Sequence, residues 1–130
     1  MTTATLTRIL YVEDEPDIQA VAQLALEAVG GFTVAICSAG QEALEKAPGF
    51  NPDLILLDVM MPGMDGPTTL GKLREIKALA NTPVIFMTAK VQAHEVAQYK
   101  ALGALDVIAK PFDPMRLSDD IRAIWGRAHG

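Results

Sequence analysis

Along this chain, short unbroken apolar runs alternate with longer stretches in which apolar residues return every three or four positions. The first pattern suits a strand and the second an amphipathic helix. Five strands are therefore expected at Arg8–Val12, Phe32–Cys37, Leu54–Leu57, Pro83–Met87 and Asp106–Ala109. After the first strand, Pro16–Val29 puts Ile18, Val21, Ala22 and Ala25 at helical spacing and stops at Gly30-Gly31. Ser38 is placed to cap a helix over Ala39–Ala47, closed by Pro48-Gly49. Pro67 suits the first turn of a third helix, running to about Leu79. A fourth spans Gln92–Leu102 with Gly103 as its stop, and a fifth starts at Pro114 with Leu117, Ile121 and Ile124 on one face. Strict alternation of strand and helix predicts a parallel sheet with helices on both faces and right-handed crossovers. A continuous run such as LILL at 54–57 is what burial of both faces requires.

Composition narrows the class. With 130 residues, half of them hydrophobic and 21% charged, the chain can bury one core and is not of the disordered type. Its net charge of -5 argues against direct nucleic-acid binding, and the separated Arg116, Arg122 and Arg127 read as the polar face of the last helix. One cysteine, Cys37, excludes an internal disulfide and suits a reducing compartment. The opening MTTATLT lacks an apolar signal region, and no stretch approaches a membrane span. The expectation is a cytoplasmic, membrane-free domain.

In parallel sheets of this kind, ligands bind beyond the carboxyl ends of the strands. Those ends carry Glu13-Asp14-Glu15, then Asp58, Thr88 and Lys110. Carboxylates brought together there repel and raise one another's pKa. Lys110 offsets part of that charge, and an all-oxygen, carboxylate-rich open site suits Mg²⁺ for the rest.

Four motifs in this order, VEDEP, LLDVMMPGMDG, IFMTA and KPF, resemble the response-regulator receiver domain of two-component signalling. The resemblance runs from about Arg8 to Trp125. It implies a flavodoxin-like (βα)5 fold with strand order 2-1-3-4-5. It also implies that Asp58 accepts a phosphoryl group and that Glu13 and Asp14, with Asp58 and the backbone carbonyl of Met60, hold Mg²⁺. Thr88 is implied to bind a phosphoryl oxygen, and Lys110 to pair with Asp58 and later with the phosphoryl group. The Lys110–Pro111 bond is implied to be cis. The donor is expected to be a histidine kinase or histidine phosphotransfer protein, since no glycine-rich nucleotide loop is present.

Some positions depart from the family pattern. Val107 stands where a tyrosine or phenylalanine often rotates on phosphorylation, and Asp120 replaces a basic residue used in the dimers of DNA-binding relatives. Glu13 replaces the commoner aspartate. Met60, Met61, Met64 and Met87 read as packing residues, Cys37 as inert core, and His94 and His129 as solvated. Trp125 is either a core anchor or a partner contact. Two rival readings stand beside it: an Mg²⁺-dependent phosphohydrolase, which also uses a strand-end aspartate nucleophile, and a flavodoxin-like cofactor binder, which would share the fold. The first generally needs a second aspartate where Met60 stands, and the second a phosphate loop where EDEPD stands.

The expected organisation is a flexible N-terminus at 1–7, a receiver domain at 8–126 and a C-terminal tail at 127–130. The whole is read as a stand-alone, monomeric or weakly dimeric signalling domain rather than a turnover enzyme. It is expected to signal through a surface formed by the fourth helix, fifth strand and fifth helix.

Overall fold

A computed structural model describes residues 5–129; residues 1–4 and Gly130 lie outside the described part. Strands β1 Arg8–Val12, β2 Thr33–Cys37, β3 Leu54–Asp58, β4 Val84–Thr88 and β5 Asp106–Ala109 alternate with helices along the chain. The helices are α1 Pro16–Leu24, α2 Gly40–Phe50, α3 Gly66–Arg74, α4 Ala93–Ala101 and α5 Leu117–His129. All strand pairs are parallel, in the order β2-β1-β3-β4-β5 expected for the flavodoxin-like class.

The pleat sorts side chains into two cores, because successive residues of a strand point to opposite faces. Ile9, Tyr11, Leu54, Leu56, Ile85 and Met87 pack beneath α1 and α5. Leu10, Val12, Ile55, Leu57, Val84 and Phe86 pack beneath α2 and α3. Followed to the last residues of β3 and β4 and one past β1, the same alternation puts Glu13 and Asp58 in the row of the first core, and Thr88 in the row of the second.

Several boundaries differ from expectation, each for a tertiary reason. The end of the first helix opens into a π turn at Ala25–Val29. There the Ser118 hydroxyl of α5 donates to the Ala25 carbonyl at 2.9 Å, and the Gly30 amide bonds the same carbonyl at 3.1 Å. A side chain competing for a helix carbonyl is a known cause of such a bulge. Helix α2 does not stop at Pro48; it carries that proline inside and ends at Asn51 in the left-handed conformation (φ 54°). The added turn is held by Arg8, whose guanidinium lies 4.2 Å from the Phe50 ring centroid and donates to the Phe50 carbonyl. Ser38 does not cap α2. Its amide donates to Glu42 in the first turn, while its hydroxyl accepts from Gln19.

Helix α3 ends at Arg74, with a separate 3-10 turn at Lys77–Leu79 because Ile76 is extended. Arg74 donates to the Leu79 and Thr82 carbonyls and so ties that turn down. Helix α5 begins at Leu117 rather than Pro114, and the turn before it is anchored on the Asp113 carbonyl.

At the N-terminus, Leu6 packs on the first core and the Thr7 and Arg8 amides both donate to Asp53. At the other end, α5 continues through Arg127 to His129. His129 is not simply solvated, since its ring stacks on Trp125 at 3.8 Å. Trp125 is a buried core residue, and Cys37 is fully buried with its thiol pKa pushed up to about 11 by that burial. Met61 and Met87 pack as expected, but Met60 is 68% exposed. Among the described residues, no helix is long and apolar enough to cross a membrane.

Candidate functional site

Asp58 is the last residue of β3, paired with Met87 of β4, and only 3% exposed. The strand consists of fully buried leucines and an isoleucine up to that point, so the carboxylate emerges at the sheet edge among apolar neighbours. Glu13 follows β1 directly and keeps its amide in the ladder through Cys37, so its side chain is placed as firmly as a strand residue's. It is fully buried. Lys110 enters from the end of β5, where its amide donates to the Thr88 carbonyl at 2.9 Å, and its bond to Pro111 is cis.

The Lys110 ammonium joins these elements, with Nζ 2.7 Å from Glu13 Oε1 and 3.2 Å from Asp58 Oδ1. Burial by itself would lower the Lys110 pKa. The bonds to Glu13 and Asp58 outweigh it, and the net shift is upward. Asp58 is pushed up to about 6, first by burial and then by the Glu13 charge, against the pull of Lys110. Above neutral pH it is therefore mostly ionised and able to act as a nucleophile.

Glu13, Asp14 and Asp58 can each offer a carboxylate oxygen within 4.8 Å of the others. One ammonium against three carboxylates leaves excess negative charge at the pocket. An all-oxygen donor set with that excess fits a hard divalent cation. Thr88 is 3% exposed, and its hydroxyl oxygen accepts from the Lys90 amide at 3.1 Å, so its proton remains available to donate. Glu15, Asp58, Met60, Thr88, Ala89 and Lys110 line an open cavity of about 180 Å³ over the Asp58 carboxylate. Glu13, Asp14, Asp58, Thr88 and Lys110 thus come to one edge, with Met60 on its rim.

Val107 is half-buried, with Phe86 as its register partner on β4, and both belong to the second core. Tyr99 of α4 meets the Phe86 ring edge-on at 5.3 Å.

Three contributors are not singled out by the sequence reading. Tyr11 reaches Glu13 Oε1 with its hydroxyl at 3.4 Å, and burial followed by the charges of Glu13 and Asp58 raises its pKa. The two-residue spacing on one strand was the available signal. Gln19 donates to the Glu13 carbonyl, which no local pattern foretells because it depends on how α1 lies over β1. Gly66 packs against the backbone of Asp58 itself, since a Cβ there would lie 2.6 Å from the Asp58 carbonyl oxygen.

These features define a doubly wound α/β domain with a lysine-crossed acidic pocket at its carboxyl edge. The chain belongs to the response regulator receiver domain family, whose model matches residues 9–122. It is 39% identical over 121 residues to the alkaline phosphatase synthesis transcriptional regulatory protein PhoP of Bacillus subtilis, covering 93% of this chain and 49% of that protein. It is 35% identical over 116 residues to the DNA-binding response regulator MtrA of Mycolicibacterium smegmatis, covering 89% and 49%. The chain spans about half the length of these curated relatives. Among solved structures it is similar to chemotaxis protein CheY4 of Vibrio cholerae, with a TM-score of 0.84 and 28% identity over 92% of this chain and 99% of that one. A response regulator from Desulfuromonas acetoxidans matches at TM-score 0.82 and 31% identity, over 95% and 99%. The family expected from the four motifs is therefore the family found, and the chain is a signalling module.

Proposed function

We propose that this receiver takes a phosphoryl group onto Asp58 from the phosphohistidine of a sensor histidine kinase or histidine phosphotransfer protein. The carrying observation is the single ammonium of Lys110 lying between Glu13 and Asp58, with Asp14 within reach of both carboxylates. Glu13, Asp14, Asp58 and the backbone carbonyl of Met60 would hold Mg²⁺, which supplies positive charge to the phosphoryl oxygens.

The chain's own part is nucleophile and cradle. An Asp58 carboxylate oxygen forms a bond to phosphorus as the bond from phosphorus to the donor imidazole nitrogen breaks. The electron pair leaves on that nitrogen. Charge builds on the equatorial oxygens of the transferring group, where Lys110 and the Thr88 hydroxyl donate hydrogen bonds. The product is an acyl phosphate on Asp58, and Lys110, already bonded to Glu13, turns its second bond to the phosphoryl oxygens. Exposed, apolar Met60 offers no second carboxylate to protonate a leaving group, which favours a stoichiometric acceptor over a turnover phosphohydrolase. Output is assigned to protein contacts on the face of α4, β5 and α5.

The test is incubation with Mg²⁺ and a small phosphodonor, followed by intact-mass measurement. Wild type should gain one phosphoryl group and Asp58→Asn none. Equal labelling of both would overturn the assignment.

A further inference from the structure

Tyr11 is fully buried in the middle of the sheet, yet it carries a hydroxyl that a core position does not need. A buried phenol usually has a hydrogen-bond partner, because an unpaired hydroxyl there costs its desolvation. The partner here is Glu13 Oε1, at 3.4 Å. Residues 11 and 13 share a face of β1 because side chains alternate along a strand. The length of a tyrosine and the extra methylene of a glutamate together close the gap between them; an aspartate at 13 would be shorter by that methylene.

The Glu13 carboxylate is thereby held on both oxygens. Oε1 accepts from Lys110 and Tyr11, and Oε2 accepts from the Glu15 amide at 3.2 Å. These partners are not equivalent. Lys110 also bonds Asp58, so its position depends on what Asp58 carries. Tyr11 is fixed in the core among Ile9, Leu54 and Leu56 and has no such second allegiance.

We infer that Tyr11 is a positioning residue for the Glu13 carboxylate, keeping it aimed at the cation when Lys110 shifts toward the phosphoryl group. The inference rests on the metal reading of the site given above. Partners one step behind a ligand commonly change metal affinity by about tenfold or more when removed. Phenylalanine at position 11 preserves the packing and deletes only the hydroxyl.

The experiment is a double-mutant cycle read by isothermal titration with Mg²⁺, using wild type, Tyr11→Phe, Glu13→Asp and the double variant. Tyr11→Phe should weaken Mg²⁺ binding about tenfold beside glutamate. In the Glu13→Asp background the same change should have an effect under about twofold, because the shorter side chain is out of the hydroxyl's reach. Equal weakening in both backgrounds, or none in either, would overturn the inference while leaving the metal site standing. Wild type that binds no Mg²⁺ would take down the metal reading and this one together.

A second readout does not require the Tyr11 variant to fold. The chain has two tyrosines, so in Tyr99→Phe the remaining tyrosine absorption belongs to Tyr11. Mg²⁺ should shift that band in Tyr99→Phe and leave it unmoved once Glu13→Asp is added. A band that does not respond to saturating Mg²⁺ with glutamate in place would count against Tyr11.

Discussion

Lys110 sits closer to Glu13 than to Asp58, at 2.7 Å against 3.2 Å. The ammonium is thus seated on the fully buried Glu13 and leans from there toward Asp58, the residue proposed to accept the phosphoryl group. Lys110→Ala would leave two buried carboxylates facing each other without it. The metal-free variant should lose stability, on the order of 1–3 kcal/mol by urea unfolding, with Mg²⁺ restoring part of it. Phosphorylation should persist at a reduced rate, while the amide chemical-shift response to beryllofluoride shrinks. A full response in Lys110→Ala would refute the coupling role.

Asp58 carries a pH signature of its own. Its folded-state pKa of about 6 lies above the usual 3.8, so the unfolded chain ionises this group first as pH rises. Stability contributed by the protonated form is therefore present below about pH 4 and lost as pH climbs through about 6. Asp58→Asn removes that loss. In EDTA, the variant should exceed wild type by on the order of 1–3 kcal/mol at about pH 8 and converge with it near pH 4. Denaturant midpoints at the two pH values measure this, and a gap that widens toward acid would contradict it.

Gly66 leaves no room for a methyl group. A Cβ would stand 2.6 Å from the Asp58 carbonyl oxygen and 2.8 Å from the Val59 Cα, both backbone atoms. Gly66→Ala should cost about 1–3 kcal/mol and slow phosphorylation by displacing the acceptor. Gly71, on the same helix, has nothing within 4 Å of its Cβ position. Gly71→Ala should be stabilising by about 0.5–1 kcal/mol, which makes it the control for helix propensity. Similar effects at both glycines would dispose of the steric argument.

Met60 lies on the rim of the cavity with an apolar, 68% exposed side chain. It offers no hydrogen bond to orient water against an acyl phosphate. Met60→Asn should accelerate decay of the phosphorylated protein by about tenfold, which needs only about 1.4 kcal/mol of barrier. The fold should be unaffected. Decay in the asparagine variant no faster than in wild type would defeat the water-access argument.

Val107 is the position where ring rotation is unavailable. Beryllofluoride should therefore shift amides chiefly in the loop after β4 and in α4, where Tyr99 meets Phe86. Large shifts across α1 and α2 would show a different route.

The five-strand alternation and the edge that gathers Glu13, Asp14, Asp58, Thr88 and Lys110 could be read directly from the chain. Those features follow from local periodicity, and a parallel β/α alternation leaves few ways to order the strand ends. Strand β3 was legible for the same reason, because an apolar run that ends on a carboxylate, Asp58, can be seen without its neighbours.

What the tertiary structure alone decided are interactions between elements distant in sequence. Ser118 opens the π turn of the first helix from 93 positions away, and Arg8 carries α2 past Pro48 to Phe50 from 42 away. Lys110 chooses Glu13 across 97 positions, and Met60, apolar by type, turns out to face solvent. Periodicity reports which face of an element is buried. It does not report which polar atom of another element meets that face, because the distance and angle between packed elements are set by the whole core at once.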